Sequence, residues 1–151
     1  MAGVQIELTL QGLDLAAAAL TRLAETDLED LAFTIGQLLE SSTQARIAEE
    51  KRSPDGAAWA PWSARHARTR QARHSLLVQD NHLTTSVQTY TTGTTVRVGS
   101  NLVYAAIHQF GGQAGRGRKV TIPARPYLGL SDADRTAVAQ LVADTLEDRL
   151  Q

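Results

Sequence analysis

The sequence predicts an α+β fold, in which a small, mostly antiparallel sheet of three or four strands packs against a long N-terminal helix and a C-terminal helix. Three observations carry that prediction. Residues 4–10 alternate apolar Val4, Ile6, Leu8 and Leu10 with Gln5, Glu7 and Thr9, the period of a half-buried strand. Residues 15–50 place Leu20, Leu23, Leu28, Leu31, Ile35, Leu38, Leu39 and Ile47 at three- and four-residue steps, the period of one helical face. Residues 86–99 set Gly93 between two Thr-rich, β-branched runs, which reads as a β-hairpin turning near residues 92–94.

Each element has a local cause. Gly12 breaks the first strand, and Asp14 is placed to cap the helix because its carboxylate can accept from the free amides of a first turn. Thr26 and Glu29 have capping-box spacing, so a break is expected near residues 25–27, with the longer piece, 27–51, forming the main core helix. Residues 52–63, RSPDGAAWAPWS, cannot be regular: Pro54 presets one dihedral and Gly56 accepts a positive one, which makes a turn. Trp59 reads as a plug where the helix leaves the core. Trp62 suits a plug and an interface anchor equally. Residues 64–75 carry Arg65, His66, Arg68, Arg70, Arg73 and His74 with almost nothing apolar, the composition of a solvated excursion or of a loop that orders against a partner.

Asn101 can cap a short helix over 102–110, with Val103, Ala106, Ile107 and Phe110 on its core face and Gly111-Gly112 ending it. Residues 113–119, QAGRGRK, bury no apolar surface and are expected to be mobile in an isolated subunit. Residues 120–122 resume as a strand. Pro123 and Pro126 then hold the chain extended by fixing their own dihedrals and restricting the residues before them. Ser131 or Asp132 caps a last helix with Val138, Leu141, Val142, Leu146 and Leu150 on its apolar face.

A length of 151 residues favours one domain, spanning 1–151, with a basic Gly-rich loop at 111–119. Aromatics make up only 5%, so packing rests on Leu, Val, Ile and the many Ala. No cysteine is present, which excludes disulfides and thiolate metal sites. No apolar run approaches about 20 residues, so no span is expected to cross a membrane. The start, MAGVQIEL, lacks the basic and apolar regions of a secretory signal, and synthesis in the cytoplasm is the expectation. The net charge is only −1, but it is segregated: residues 64–131 hold nine bases and one acid, while residues 1–63 hold ten acids and four bases. A basic middle could face DNA or an acidic copy of the same chain. Self-assembly is preferred, because both charges sit in one polypeptide and no nucleic-acid motif accompanies them.

Catalytic patterns are missing from the sequence. His66, His74 and His82 stand eight apart and form no i,i+4 pair, and His108 falls beside an expected apolar face, where a structural imidazole is the preferred reading. GGQAGRG follows a helix rather than a strand, so it lacks the geometry that aims amides at a pyrophosphate. Paired acids such as Asp132/Asp134 and Glu147/Asp148 are expected at solvated helix ends. No enzyme, cofactor or metal is therefore expected.

Two strings carry a family likeness. VGSNLVYAAIHQFGG, residues 98–112, and IPARPYLGLS, residues 122–131, resemble the two central motifs of the phage virion morphogenesis, or tail completion, family. SPDGAAWAPWS resembles that family's Pro-x-Gly-x-x-Trp-x-Pro-Leu turn, with Trp62 where a Leu is common. DNHLTTSV, residues 80–87, departs from the Thr-Gly-x-Leu then Ser pattern usual there. The resemblance implies a structural protein of a tailed phage or prophage that completes or caps the tail and enables head–tail joining. Such proteins commonly act as rings; here the ring would be a homo-oligomer, six-fold to match a tail. Implied partners are other copies of the chain, tail tube or terminator proteins, the head connector and, transiently, packaged DNA. The implied location is the tail or neck of the virion, after assembly in the host bacterial cytoplasm.

Within that likeness, Tyr104, His108, Gln109 and Phe110 would hold the short helix against the sheet, beside the structural residues Trp59, Trp62, Pro123, Pro126 and Tyr127. Arg65, Arg68, Arg70, Arg73, Arg116, Arg118, Lys119 and Arg125 are the interface or DNA-facing candidates. Arg125, fixed between two prolines, is expected to reach a carboxylate on its own subunit or on the next one. The alternative function is a non-sequence-specific DNA-binding module using the basic middle.

Overall fold

The computed structural model describes residues 3–9 and 25–150. Its elements are β1 (Val4–Thr9), α1 (Glu25–Ala45), α2 (Ala64–Ala67), α3 (His82–Ser86), β2 (Gln88–Thr92), β3 (Thr95–Ser100), α4 (Ala105–Phe110), β4 (Gly112–Ala114), β5 (Val120–Ile122) and α5 (Asp132–Leu150). The fold is α+β as expected, with a three-stranded antiparallel sheet in the order β1-β3-β2 and a separate antiparallel ribbon of β4 and β5. Leu10, the Asp14 cap, the helical pattern over 15–24 and the Thr26 side chain lie outside the described residues. From Glu25 onward the backbone is continuously helical through Ala45.

Strand alternation decides which side of the sheet meets α1. On central β3, Val96 and Val98 are buried and stand opposite Thr91 and Thr89 of β2, so all four project to one face. Arg97 points the other way, opposite Glu7 of β1, and its Nε donates to the Glu7 carboxylate at 2.7 Å. Helix α1 lays Leu31, Ile35 and Leu39 into the core. Gly36 lets it come close: the Thr89 hydroxyl donates to the Gly36 carbonyl at 2.8 Å, and a Cβ on Gly36 would stand 2.2 Å from the Thr89 methyl. That contact explains a helix-interior glycine, which on propensity alone costs about 1 kcal/mol relative to Ala.

The far end of α1 fastens the C-terminal half of the chain. Arg46 and Ile47 open a π-helical turn over Arg46–Glu50 and are buried. Arg46 donates to the Tyr127 carbonyl at 2.8 Å and to a carboxylate oxygen of Asp134 at 2.8 Å, with both side chains out of solvent. Ser42, one turn earlier, donates to the other Asp134 oxygen. Asp134 also closes a reciprocal cap at the start of α5, accepting from the Ser131 amide at 2.9 Å while its own amide donates to the Ser131 hydroxyl at 3.1 Å. Burial pushes the Asp134 carboxyl up, but the bonds from Ser42, Ser131 and Arg46 together hold it below the usual carboxylate value. Asp134 is thus buried and ion-paired rather than a solvated helix-end acid as expected. Of the two expected caps for α5, Ser131 is the one used. The helix packs along α1, with Val138, Leu141 and Val142 half-buried against the core.

Three local expectations need correction. Ser86 belongs to the helical turn α3 rather than to a strand, so the hairpin spans Gln88–Thr92 and Thr95–Ser100 around Gly93 and Thr94. The basic stretch 64–75 needs no correction: it is mostly exposed, in keeping with a solvated excursion, and starts with a helical turn because the Ser63 hydroxyl accepts from the His66 amide and caps it. Asn101 caps nothing; α4 starts at Ala105, preceded by Tyr104 with no side-chain cap. The stretch 113–119 is not a featureless loop. Gly112–Ala114 pairs with Val120–Ile122, and positive φ at Gly115 (76°) and Gly117 (70°) turns the chain between them. Main-chain pairing needs no apolar side chains, which is why composition alone misreads this segment.

The expected core face of α4 is also reversed. Val103 and Phe110 are 78% and 70% exposed, whereas Ala105 is fully buried. Ala105 and Gln109, one turn apart, face inward because the Gln109 amide satisfies backbone groups of the Pro-bracketed segment behind it. Among the described residues, no helix is long and apolar enough to cross a membrane.

Candidate functional site

The segment 123–129 belongs to no helix or strand, and its bonds to two neighbours, beginning with the Arg125 amide donating to the His108 carbonyl at 2.8 Å, build the site. Gln109 Oε1 accepts from the amides of Tyr127 and Leu128 at 3.0 and 2.9 Å, and its Nε2 donates to the Leu128 carbonyl at 3.1 Å. The Tyr127 hydroxyl, buried, donates to the Ala105 carbonyl at 3.0 Å; burial and the nearby Tyr104 hydroxyl push its pKa up, so it stays a donor. These bonds tie α4 to the segment. The 59–61 turn is tied to its other side. Trp59, 5% exposed, donates from its indole to the Pro126 carbonyl at 2.8 Å. Arg125 donates to the carbonyls of Ala60 and Pro61 at 2.8 and 3.0 Å.

Arg125 therefore meets main-chain carbonyls and, among the described residues, no carboxylate, and at 7% exposure it is turned inward. The carboxylate expected for its guanidinium within its own subunit is not met among the described residues, and its burial corrects its place among the DNA-facing candidates. The physical reason is that an irregular turn leaves carbonyls without backbone partners, and a buried guanidinium satisfies two at once.

Between these two tied elements lies a groove of about 710 Å³. Its walls come from the stretch 61–83, from α4 and from β5 with Pro123. Trp62, Leu77, Val78, Leu83, Tyr104 and Ile122 give it apolar walls, while His66, Arg70 and His108 supply polar groups. The Arg70 guanidinium lies 6.0 Å from the centroid of the Trp62 ring and donates to the Gln79 side chain at 2.8 Å. His66 stands edge-on to Trp62, and His108 edge-on to Tyr104. Both imidazoles have lowered pKa values. In His108 burial and then Arg125 disfavour the charged form; in His66 desolvation comes first, followed by Arg70 and Arg125. Both histidines are therefore neutral near pH 7, and His108 Nδ1 is buried without a hydrogen-bond partner among the described residues.

The basic residues expected at an interface divide by position. Arg65 and Arg68 are exposed on and just after α2, and Arg116, Arg118 and Lys119 are exposed at the turn of the β4–β5 ribbon. None of these five makes an ion pair among the described residues. Arg73 lies 4.0 Å from Asp80, an exposed pair worth about 0–1 kcal/mol. The fold thus gathers Trp62, Arg70, Tyr104, His108 and Pro123, up to 61 residues apart in the sequence, onto one groove with unpaired bases on both flanking segments. Trp59, Gln109, Pro126 and Tyr127 stand behind it as support. Tyr104 and Phe110 do not hold α4 to the sheet; they are 42% and 70% exposed. Leu77, Leu83 and Ile122 were not singled out from the sequence, and neither was Arg46. For Arg46 a signal existed, since it falls on the same helical stripe as Leu39 and Thr43. No group of three or more metal-ligating side chains occurs among the described residues.

The groove combines apolar walls with imidazole and guanidinium groups, and each motif string lends it side chains, Tyr104 and His108 from one and Ile122, Pro123 and Arg125 from the other. The sequence profile of the phage virion morphogenesis family matches residues 8–147. The chain belongs to that family. It is 35% identical over 119 residues to the putative capsid assembly protein G of Escherichia phage Mu, covering 75% of this chain and 72% of that protein. It is 50% identical over 72 residues to Mu-like prophage FluMu G protein 2 of Haemophilus influenzae, covering 48% of this chain and about half, 47%, of that relative's length. No solved structure matches. Family membership places the chain in phage virion structure and assembly.

Proposed function

We propose that the chain is a structural protein of the tail or neck of a tailed phage or prophage, which completes or caps the tail and enables head–tail joining as a ring of identical copies. The observation that carries this reading is the groove flanked by segments that bear five exposed bases with no ion pair among the described residues, in a chain whose net charge is only −1. Bases with no ion pair among the described residues are available to an acidic partner surface, and the acids that balance them lie elsewhere on the same polypeptide. Contacts between unlike faces of like subunits close into rings when the rotation permits. The role in this reading is assembly and not catalysis: the groove binds, and Trp59, Gln109, Arg125 and Tyr127 brace the backbone behind it.

A ring would bring Arg116, Arg118 and Lys119 of successive copies together. In that arrangement they meet the head connector, the tail terminator or passing DNA through backbone charge alone. Replacing all three with Ala is expected to leave the subunit folded, with an unchanged circular dichroism spectrum, while tails carrying it join heads at least tenfold less often. Wild-type particle yield would sink this reading. The second reading, a DNA-backbone binder, is favoured by the exposure of the same five bases; it requires duplex binding by the free protein that weakens steeply with salt.

A further inference from the structure

We propose that the groove receives Phe33 of a second copy of this chain, with Glu29 and Asp30 of that copy meeting Arg65 and Arg68 beside the groove. The proposal rests on the self-assembly part of the function above and names the surfaces that would carry it.

Phe33 is the observation that points there. Its neighbours on α1, Ala32 and Ile35, are fully buried, but Phe33 is 54% exposed on the opposite side of the helix. Glu29 and Asp30 precede it by four and three residues, so they share its face. Both are exposed, and neither side chain has a hydrogen bond or ion pair among the described residues. The result is an aromatic knob with unmatched negative charge one turn away. The groove is its counterpart, with apolar walls from Trp62, Leu77, Leu83, Tyr104 and Ile122 and unmatched positive charge on the segments that form them. An aromatic anchor seated in a pocket with charges at the rim is the usual anatomy of an interface hot spot.

Other occupants fit less well. Tyr90 is as exposed as Phe33, but it lies on the open face of the sheet, beside Arg97 and Glu7, whose charges already match. Val103 and Phe110 lie on α4 or its approach, the element that forms a wall of the groove, and duplex DNA offers phosphates without an apolar knob. No residue of α1 lines the groove, so knob and groove occupy different parts of one subunit. Each copy then keeps a free groove and a free Phe33, and the contact propagates head to tail until it closes.

The chain has no cysteine, which makes a directed test clean. Gln37→Cys, exposed one turn after Phe33 on the same helix face so that the knob itself is kept, and Thr121→Cys, exposed on the groove wall, are prepared as separate proteins and mixed with a short thiol–thiol crosslinker. The expected product is a covalent dimer containing one of each, formed far more slowly by either protein alone. In parallel, Glu29→Arg with Asp30→Arg should weaken self-association at least tenfold, and adding Arg65→Glu with Arg68→Glu should restore it. Wild-type protein that associates while the mixed crosslink and the charge rescue both fail overturns the docking and leaves self-assembly standing. Thr121→Cys that crosslinks only to a different protein in assembled particles also overturns it. A wild-type protein that stays monomeric at every concentration overturns both.

Discussion

Arg46 and Arg118 carry the same side chain in opposite circumstances. Arg46 is 2% exposed, and its guanidinium is shared between the Tyr127 carbonyl and the Asp134 carboxylate. Arg118 is exposed at the turn of a Gly-rich ribbon and has no ion pair among the described residues. Arg125 sides with Arg46, and Arg65, Arg68, Arg116 and Lys119 side with Arg118. Counting bases along the chain cannot separate the two groups; finding where each guanidinium ends does. The buried ones hold the frame of the groove, and the exposed ones are free to meet another molecule.

If that division is real, the two groups respond differently to the same truncation. Arg46→Ala leaves the Asp134 carboxylate buried without its ion partner, and the chain should lose about 3–5 kcal/mol of stability, read from the denaturant midpoint. The same pair has an acid signature. Because the Asp134 carboxyl sits below its unfolded value, its contribution is complete above that unfolded value and disappears as pH falls through the folded one. Melting temperature followed from about pH 6 down to about pH 2 should fall for the wild type, and Asp134→Asn should flatten the fall while starting lower. A wild-type-like acid limb in Asp134→Asn would remove the buried pair from the account.

Much of the frame was legible in the sequence. The alternation in β1, the three-to-four spacing of Leu31, Ile35 and Leu39, the Gly93 turn and the Ser131 cap are local patterns, and local patterns survive into the fold. The Arg46–Asp134 pair was not legible, because it joins residues 88 apart and both types usually sit in water. In α4 the spacing of Val103, Ile107 and Phe110 mimics a core stripe, yet the side that turns inward is set by the Gln109 amide and the backbone it serves. The walls of the groove were half legible. Trp62, Tyr104 and Pro123 stood out by type, whereas Leu77, Leu83 and Ile122 join them only through tertiary structure.

Removing the five exposed bases should cost the fold least. A variant with Arg65, Arg68, Arg116, Arg118 and Lys119 replaced by Ala, compared with the wild type by sedimentation velocity and thermal melting in one buffer, tests the division directly. The account predicts a wild type that sediments as a multi-copy particle and a variant that sediments as a monomer with an unchanged melting temperature. A variant that assembles as the wild type does, or that melts well below it, would contradict the claim that these bases serve assembly and not the fold.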